Sequence, residues 1–168
     1  MADRILLSPT DPDWSREAKR LVQWFPSRSL LASIRAYQRA RTPLGRSIAK
    51  WRHRLWSIVT GADIPVTVQI GGGLLLPHPN GVVISPFSTI GPNCLIFQQV
   101  TIGSTGRGTP TLMGHVDIGA GAKVIGPVTI GEHAQIGANA VVTIDVPPHG
   151  VAVGIPAQLL PTADRAPA

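Results

Sequence analysis

The chain has 168 residues, 43% of them hydrophobic, with fifteen Lys and Arg against nine Asp and Glu for a formal net charge of +6. That length and apolar content suit one modest domain with a small appendage, and a single cysteine excludes an internal disulfide framework. No apolar run reaches membrane-spanning length and Met1-Ala2-Asp3-Arg4 does not open a signal peptide, so a soluble, cytoplasmic protein is expected.

The basic character belongs to one end. Residues 1–60 hold twelve of the fifteen Lys and Arg against four acids, whereas the remainder holds three against five. Aromatic residues are interleaved with the cations, but no nucleic-acid motif accompanies them, so no nucleic-acid partner is expected. A basic face on amphipathic helices predicts a solvated surface or a weak contact with anionic membrane lipid.

In chain order, Asp13 caps a first helix running to about Phe25, where Pro26 stops it. Ser27 caps a second, to about Arg41. Thr42 followed by Pro43 starts a third, with Leu44, Ile48, Trp51, Leu55, Ile58 and Val59 at helical spacing and Gly61 as its stop. The tryptophans are expected to pack in the core. Residues 1–60 thus form a short helical segment.

At Asp63 the periodicity changes. Ile64, Ile70 and Leu76 begin a series in which an aliphatic residue returns every sixth position: Ile84, Ile90, Ile96, Ile102, then Ile118, Val124, Ile130, Ile136 and Val142. The residue four places after each is small or β-branched, including Cys94, Val100, Gly106, Ala122, Ala134 and Ala140. This hexapeptide repeat predicts a mainly β fold, a left-handed parallel β-helix over 61–160. Each hexapeptide makes one flat strand and one corner, three make a triangular coil, and the aliphatic residue points inward to stack on its equivalent. Residues 161–168 are expected to be a flexible tail. Cys94 occupies a small-residue position and reads as a packed thiol.

The register slips twice. After Leu76 the series resumes at Ile84, so two residues are inserted around Pro77-His78-Pro79-Asn80-Gly81. After Ile102 a new phase is set by Leu112 and Ile118, which extrudes Ser104–Pro110 from a corner. Loops held on a rigid scaffold are where sites are built. His78 lies in the first slip; His53, His115, His133 and His149 are expected to be ordinary surface or corner residues.

The segment from Thr60-Gly61-Ala62-Asp63-Ile64 through LLLPHPNGVVI, QQVTIGSTG, IGAGAKVIG, IGANAVV and DVPPHGVAVGIPA closely resembles the serine acetyltransferases and their relatives among the hexapeptide acyltransferases. The resemblance implies acetyl-CoA-dependent transfer to a hydroxyl by a homotrimer whose sites lie between neighbouring β-helices. It places the general base at His78 and its carboxylate partner at Asp63, CoA along Ala120, Ala122, Lys123 and Ala138, and the acceptor near Asn80, Arg107 and Thr109. The chemistry is coherent, since imidazole accepts the proton of an alcohol too weakly acidic to attack a thioester unaided. Gly103 and Ser104 are candidate amide donors for the oxyanion.

Two departures bear on the acceptor. Pro77 stands where the family has an aspartate before the catalytic histidine, and Gly108-Thr109-Pro110 stands in place of an Arg-His-Pro motif, leaving Arg107 as the nearest guanidinium. A serine zwitterion needs both charges matched, so a sugar hydroxyl, on a polysaccharide precursor, is the expected acceptor. The alternatives are L-serine, as in cysteine biosynthesis, and a β-helix kept only as a non-catalytic scaffold. The γ-type carbonic anhydrase pattern, with two zinc ligands five residues apart, is not reproduced by these histidines, and no metal is expected.

Overall fold

A computed structural model describes residues 7–19 and 24–161. The expected tail beyond Pro161 and the middle of the first expected helix, residues 20–23, lie outside the described residues.

Asp13 caps only a single 3₁₀ turn, Trp14–Glu17, its carboxylate accepting from the Ser15 amide at 3.0 Å and hydroxyl at 2.6 Å. The turn ends at Ala18, well short of the predicted Phe25. Helix α1 (Pro26–Arg39) begins on the proline expected to be a stop, because the first turn has no use for the N–H that proline lacks. Helix α2 (Pro43–Thr60) follows the sequence closely: the Thr42 hydroxyl accepts from the Gly45 amide, Pro43 opens the helix, and Gly61 closes it in a left-handed conformation at φ 65°. A Cβ at Gly61 would also lie 2.7 Å from Asn80 Nδ2, a side-chain end that would have to swing aside, so the left-handed φ is the main reason for glycine here.

The faces of these helices differ from expectation. Leu30, Leu31 and Ile34 of α1 are buried, and α2 packs through Ala49, Thr60 and the half-buried Trp56. Leu44, Ile48, Trp51, Leu55, Ile58 and Val59 are exposed instead, as is Trp24. Arg35 reaches from α1 into the β-helix, donating to the carbonyls of Ile70 and Gly71, both at 2.6 Å, and pairing with Glu17 at 2.8 Å. That grip satisfies carbonyls at the exposed end of the first coil and holds the helices on it.

The β-helix is left-handed and built from three parallel sheets, one per side of the coil. The first side stacks β2 (Val83–Ile84), β5 (Thr101–Gly103), β8 (Lys123–Ile125) and β11 (Val141–Val142). The second stacks β1 (Gln69–Ile70), β3 (Thr89–Ile90), β6 (Thr111–Leu112) and β9 (Thr129–Ile130). The third stacks β4 (Leu95–Ile96), β7 (Asp117–Ile118), β10 (Gln135–Ile136) and β12 (Val151–Gly154), closed by the antiparallel β13 (Ala157–Leu159). The inward files are the repeat itself: Ile64, Ile84, Ile102, Val124 and Val142 are all buried on one side, with Ile96, Ile118 and Ile136 on another.

Both slips are visible in the pairing. Asp63 pairs with Val83 and Leu75 with Leu95, twenty positions on, whereas Val83 pairs with Thr101, eighteen on. The two extra residues therefore lie between Leu75 and Val83. Thr101 pairs with Lys123, twenty-two on, so four more residues lie in the loop after β5. Gly106 is not a coil position: it sits in that loop with open space around it.

Candidate active site

Two corners of the coil are lined by residues with positive φ. One carries Gly61, Gly81, Gln99, Gly121 and Asn139, the other Gly73, Asn93, His115, His133 and His149. The first lies where the third side turns into the first; Gly61 caps it, and the level below, joined to it by the Gly81 N–H on the Gly61 carbonyl at 2.8 Å, carries His78 and Asn80. Successive levels are joined by backbone bonds: Gln99 N–H to the Asn80 carbonyl at 2.9 Å, Gly121 N–H to Gln98 at 2.9 Å and Asn139 N–H to Ala120 at 2.8 Å. Asn80, Gln98, Ala120 and Ala138 therefore stand in one vertical file, and the two alanines leave the lower edge clear of bulk. Lys123 folds onto the same edge, its Nζ donating to the Gln99 carbonyl at 2.6 Å.

Asp63 begins the first side of the uppermost coil, its N–H on Val82 and its carbonyl taking Ile84. It and His78 are both exposed beside this corner. Among the described residues no hydrogen bond or ion pair joins their side chains. Asp63 instead lies within electrostatic reach of His53 of α2, expected to be an ordinary surface residue but half-buried here. Burial pushes the His53 imidazole below its ordinary range, while a bond with the Ile64 backbone and the Asp63 carboxylate pull it partly back. His53 is held by Ser33, Oγ to Nδ1 3.1 Å. Its only sequence signal was its place two turns before the helix end.

Ala122 differs from its neighbours in the predicted CoA set. It is fully buried, its carbonyl taken by Thr101 and its N–H given to Gly119, so it belongs to the core and presents nothing to a ligand. In contrast, Gln98 Oε1 is buried beside the corner with no hydrogen-bond partner among the described residues, an exception to the rule that buried acceptors are paired.

The remaining predicted residues lie elsewhere. Gly103 and Ser104 sit at the far end of β5, and Arg107 and Thr109 on the extruded loop at the next corner. That loop is a tight hairpin: Thr105 and Gly108 exchange backbone bonds of 2.8 and 3.1 Å, and the Thr109 hydroxyl donates to the Phe87 carbonyl at 3.2 Å. Arg107 is exposed at its tip. A three-residue strand spans about 10 Å, so the residues assigned to one site divide between two corners of the chain.

The other histidines build the opposite corner. His115 and His133 meet Nδ1 to Nδ1 at 2.7 Å, which requires one ring to donate and the other to accept, and His133 stacks on His149 at 4.8 Å. Cys94 lies inside the coil, where burial pushes its thiol up to about 12. It is the packed residue the repeat predicted.

A triangular hexapeptide coil, with an accessible corner of small residues flanked by His78 and Lys123, defines the class of hexapeptide-repeat acyltransferases. No protein-family model matches the chain. The serine acetyltransferase of Helicobacter pylori strain J99 is 42% identical over 122 residues, covering 70% of this chain and 71% of that protein. That of Mycobacterium tuberculosis is 40% identical over 135 residues, 78% of this chain and 57% of the relative. A solved serine acetyltransferase in complex with CoA superposes with TM-score 0.72 at 33% identity, covering 82% of this chain and 58% of its own, and the soybean enzyme complexed with serine with TM-score 0.68 at 37%, covering 80% and 56%. The chain belongs to the serine acetyltransferase family. It spans 57% and 44% of the Mycobacterium tuberculosis and Synechococcus elongatus relatives.

Proposed function

We propose that this chain transfers the acetyl group of acetyl-CoA to the hydroxyl of L-serine. The support is its family, with relatives of about 40% identity named serine acetyltransferase and neighbours solved with CoA and with serine. These favour L-serine over the sugar hydroxyl expected from Pro77 and the shortened loop. In the proposed reaction His78 takes the serine hydroxyl proton as the oxygen attacks the thioester carbonyl, and CoA leaves as its thiol. General-base assistance of this kind contributes on the order of 10² to 10⁴ in rate. Asp63 supplies negative charge near the developing imidazolium.

The observation that shapes the site is the division of its residues between two corners. Packing three copies side by side lets the Arg107 hairpin of one protomer face the His78 corner of the next, so a homotrimer unites what a single protomer separates. Arg107 is then placed to take the serine carboxylate, a charge-assisted pairing that arginine's forked geometry suits. The CoA chain would run along Ala120 and Ala138 with Lys123 toward its phosphates, and Gln98 Oε1 would meet a donor from the ligand or the neighbouring copy. Light scattering should give a trimer or a multiple of one, and a monomer at micromolar concentration contradicts the shared site.

A sugar acceptor keeps one specific observation in its favour, the uncharged Pro77 beside His78. CoA release with L-serine against a panel of sugars and nucleotide sugars separates the readings. Turnover of L-serine that collapses in Arg107→Ala supports the proposal, and turnover of a sugar with none of L-serine overturns it.

A further inference from the structure

Helix α2 carries two apolar faces, and among the described residues only one is packed against the rest of the chain. Ala49, Thr60 and Trp56 pack it against the rest of the chain, while Leu44, Ile48, Trp51, Leu55 and Ile58 form a separate stripe at alternating spacings of four and three. Each of these five is more than half exposed, Trp51 at 73% and Ile58 at 75%. Five large apolar side chains aligned over an entire helix are a patch that water does not favour, and such patches mark contact surfaces.

The charges say what kind of contact. Residues 26–60, both helices and their link, contain eight Lys and Arg and no Asp or Glu. At 100° per residue Arg52 borders the stripe on one side, with Lys50 and Arg54 on the other. An open cleft lined by Ser47, Lys50, Trp51 and Arg54 sits at that border, two cations and a hydroxyl around an indole. A helix with cations flanking an exposed aliphatic and tryptophan face matches the pattern of one that lies in a bilayer interface, apolar face down and cations among headgroups. A second copy's same face would set Arg52, Arg54 and Lys50 against their own kind, with no acid on either helix to answer them.

We propose that the exposed face of α2 is a docking surface for an anionic lipid bilayer, with Leu44, Ile48, Trp51, Leu55 and Ile58 entering the headgroup boundary and Lys50 and Arg54 binding lipid phosphate. Among the described residues no helix is long and apolar enough to cross a membrane, so the contact is a peripheral one. It is independent of the acyl transfer proposed above, since none of these residues lies at either corner of that site.

The test is flotation of the full chain with vesicles of phosphatidylcholine alone and with about one third phosphatidylglycerol, at low ionic strength and at about 1 M salt, where the screening length falls to about 3 Å. The expected result is co-flotation with anionic vesicles only, lost in high salt. Trp51→Ser and Leu55→Ser should each weaken it on the order of tenfold, and Lys50→Glu with Arg54→Glu should abolish it, with far-UV circular dichroism and acetyl transfer unchanged. Failure to bind anionic vesicles overturns the proposal. So does binding that Trp51→Ser, Leu55→Ser and the charge reversals leave untouched. If Leu55→Ser instead breaks the assembly seen by sedimentation while the native chain ignores vesicles, the stripe is a seam between copies.

Discussion

The carboxylate of Asp63 and the imidazole of His53 are electrostatic neighbours across the junction of α2 and the first coil, with His53 held below its ordinary range chiefly by burial. A histidine whose folded value is depressed binds its proton more readily in the unfolded chain. Stability is therefore full above the unfolded value of about 6.5 and falls as pH drops through it, until the folded site also protonates. Melting temperatures should hold steady near neutrality and decline as the pH falls below about 6.5. His53→Asn, which keeps a polar group for Ser33, should flatten that decline; an unchanged profile would assign it to other groups.

The grip of Arg35 on Ile70, Gly71 and Glu17 should matter for folding rather than catalysis. Removing one partner of a buried ion pair strands the other, and such changes cost about 3–5 kcal/mol. Arg35→Met should lower the urea midpoint accordingly, whereas Arg41→Met, at an exposed cation on the link between the helices, should scarcely move it.

Cys94 should be inert. With its thiol pushed up to about 12 by burial, almost no thiolate exists near neutral pH. Labelling with a disulfide reagent should be slow in the native protein and rapid in denaturant. Fast native labelling would place the thiol outside the coil.

Lys123 should act on the donor alone. Lys123→Ala is expected to raise the KM for acetyl-CoA on the order of tenfold, the scale of one lost charge-assisted contact, and to leave kcat and the KM for the acceptor nearly as they were. Equal losses in all three would mean that the bond from Nζ to the Gln99 carbonyl is supporting the corner itself.

Much of the β-helix was legible because its inward positions are read by size and repeat every six residues, and each of the two breaks in the count marked a real insertion. The same bookkeeping distinguishes Ala122, on an inward position shared with Val100 and Ala140, from the corner residues Ala120 and Ala138; identical side chains at a spacing of two face opposite ways. The helices were harder. Spacing reveals that α2 has an apolar stripe, but not which of two stripes meets the core, and Leu30, Leu31 and Ile34 of α1 had already filled that need. Asp13 was read as the cap of a long helix because capping chemistry is local and says nothing of how many turns follow. The separation of Arg107 from His78 was hidden because sequence spacing does not distinguish one corner of a coil from the next.

The most direct test is single-variant kinetics at the base. CoA release from acetyl-CoA with L-serine should fall by a factor on the order of 10² or more in His78→Ala, with the circular dichroism and assembly of the variant unchanged, and less steeply in Asp63→Asn. Full turnover of L-serine by a folded His78→Ala protein would contradict the assignment of His78 as the base, and with it the placing of the reaction at this corner.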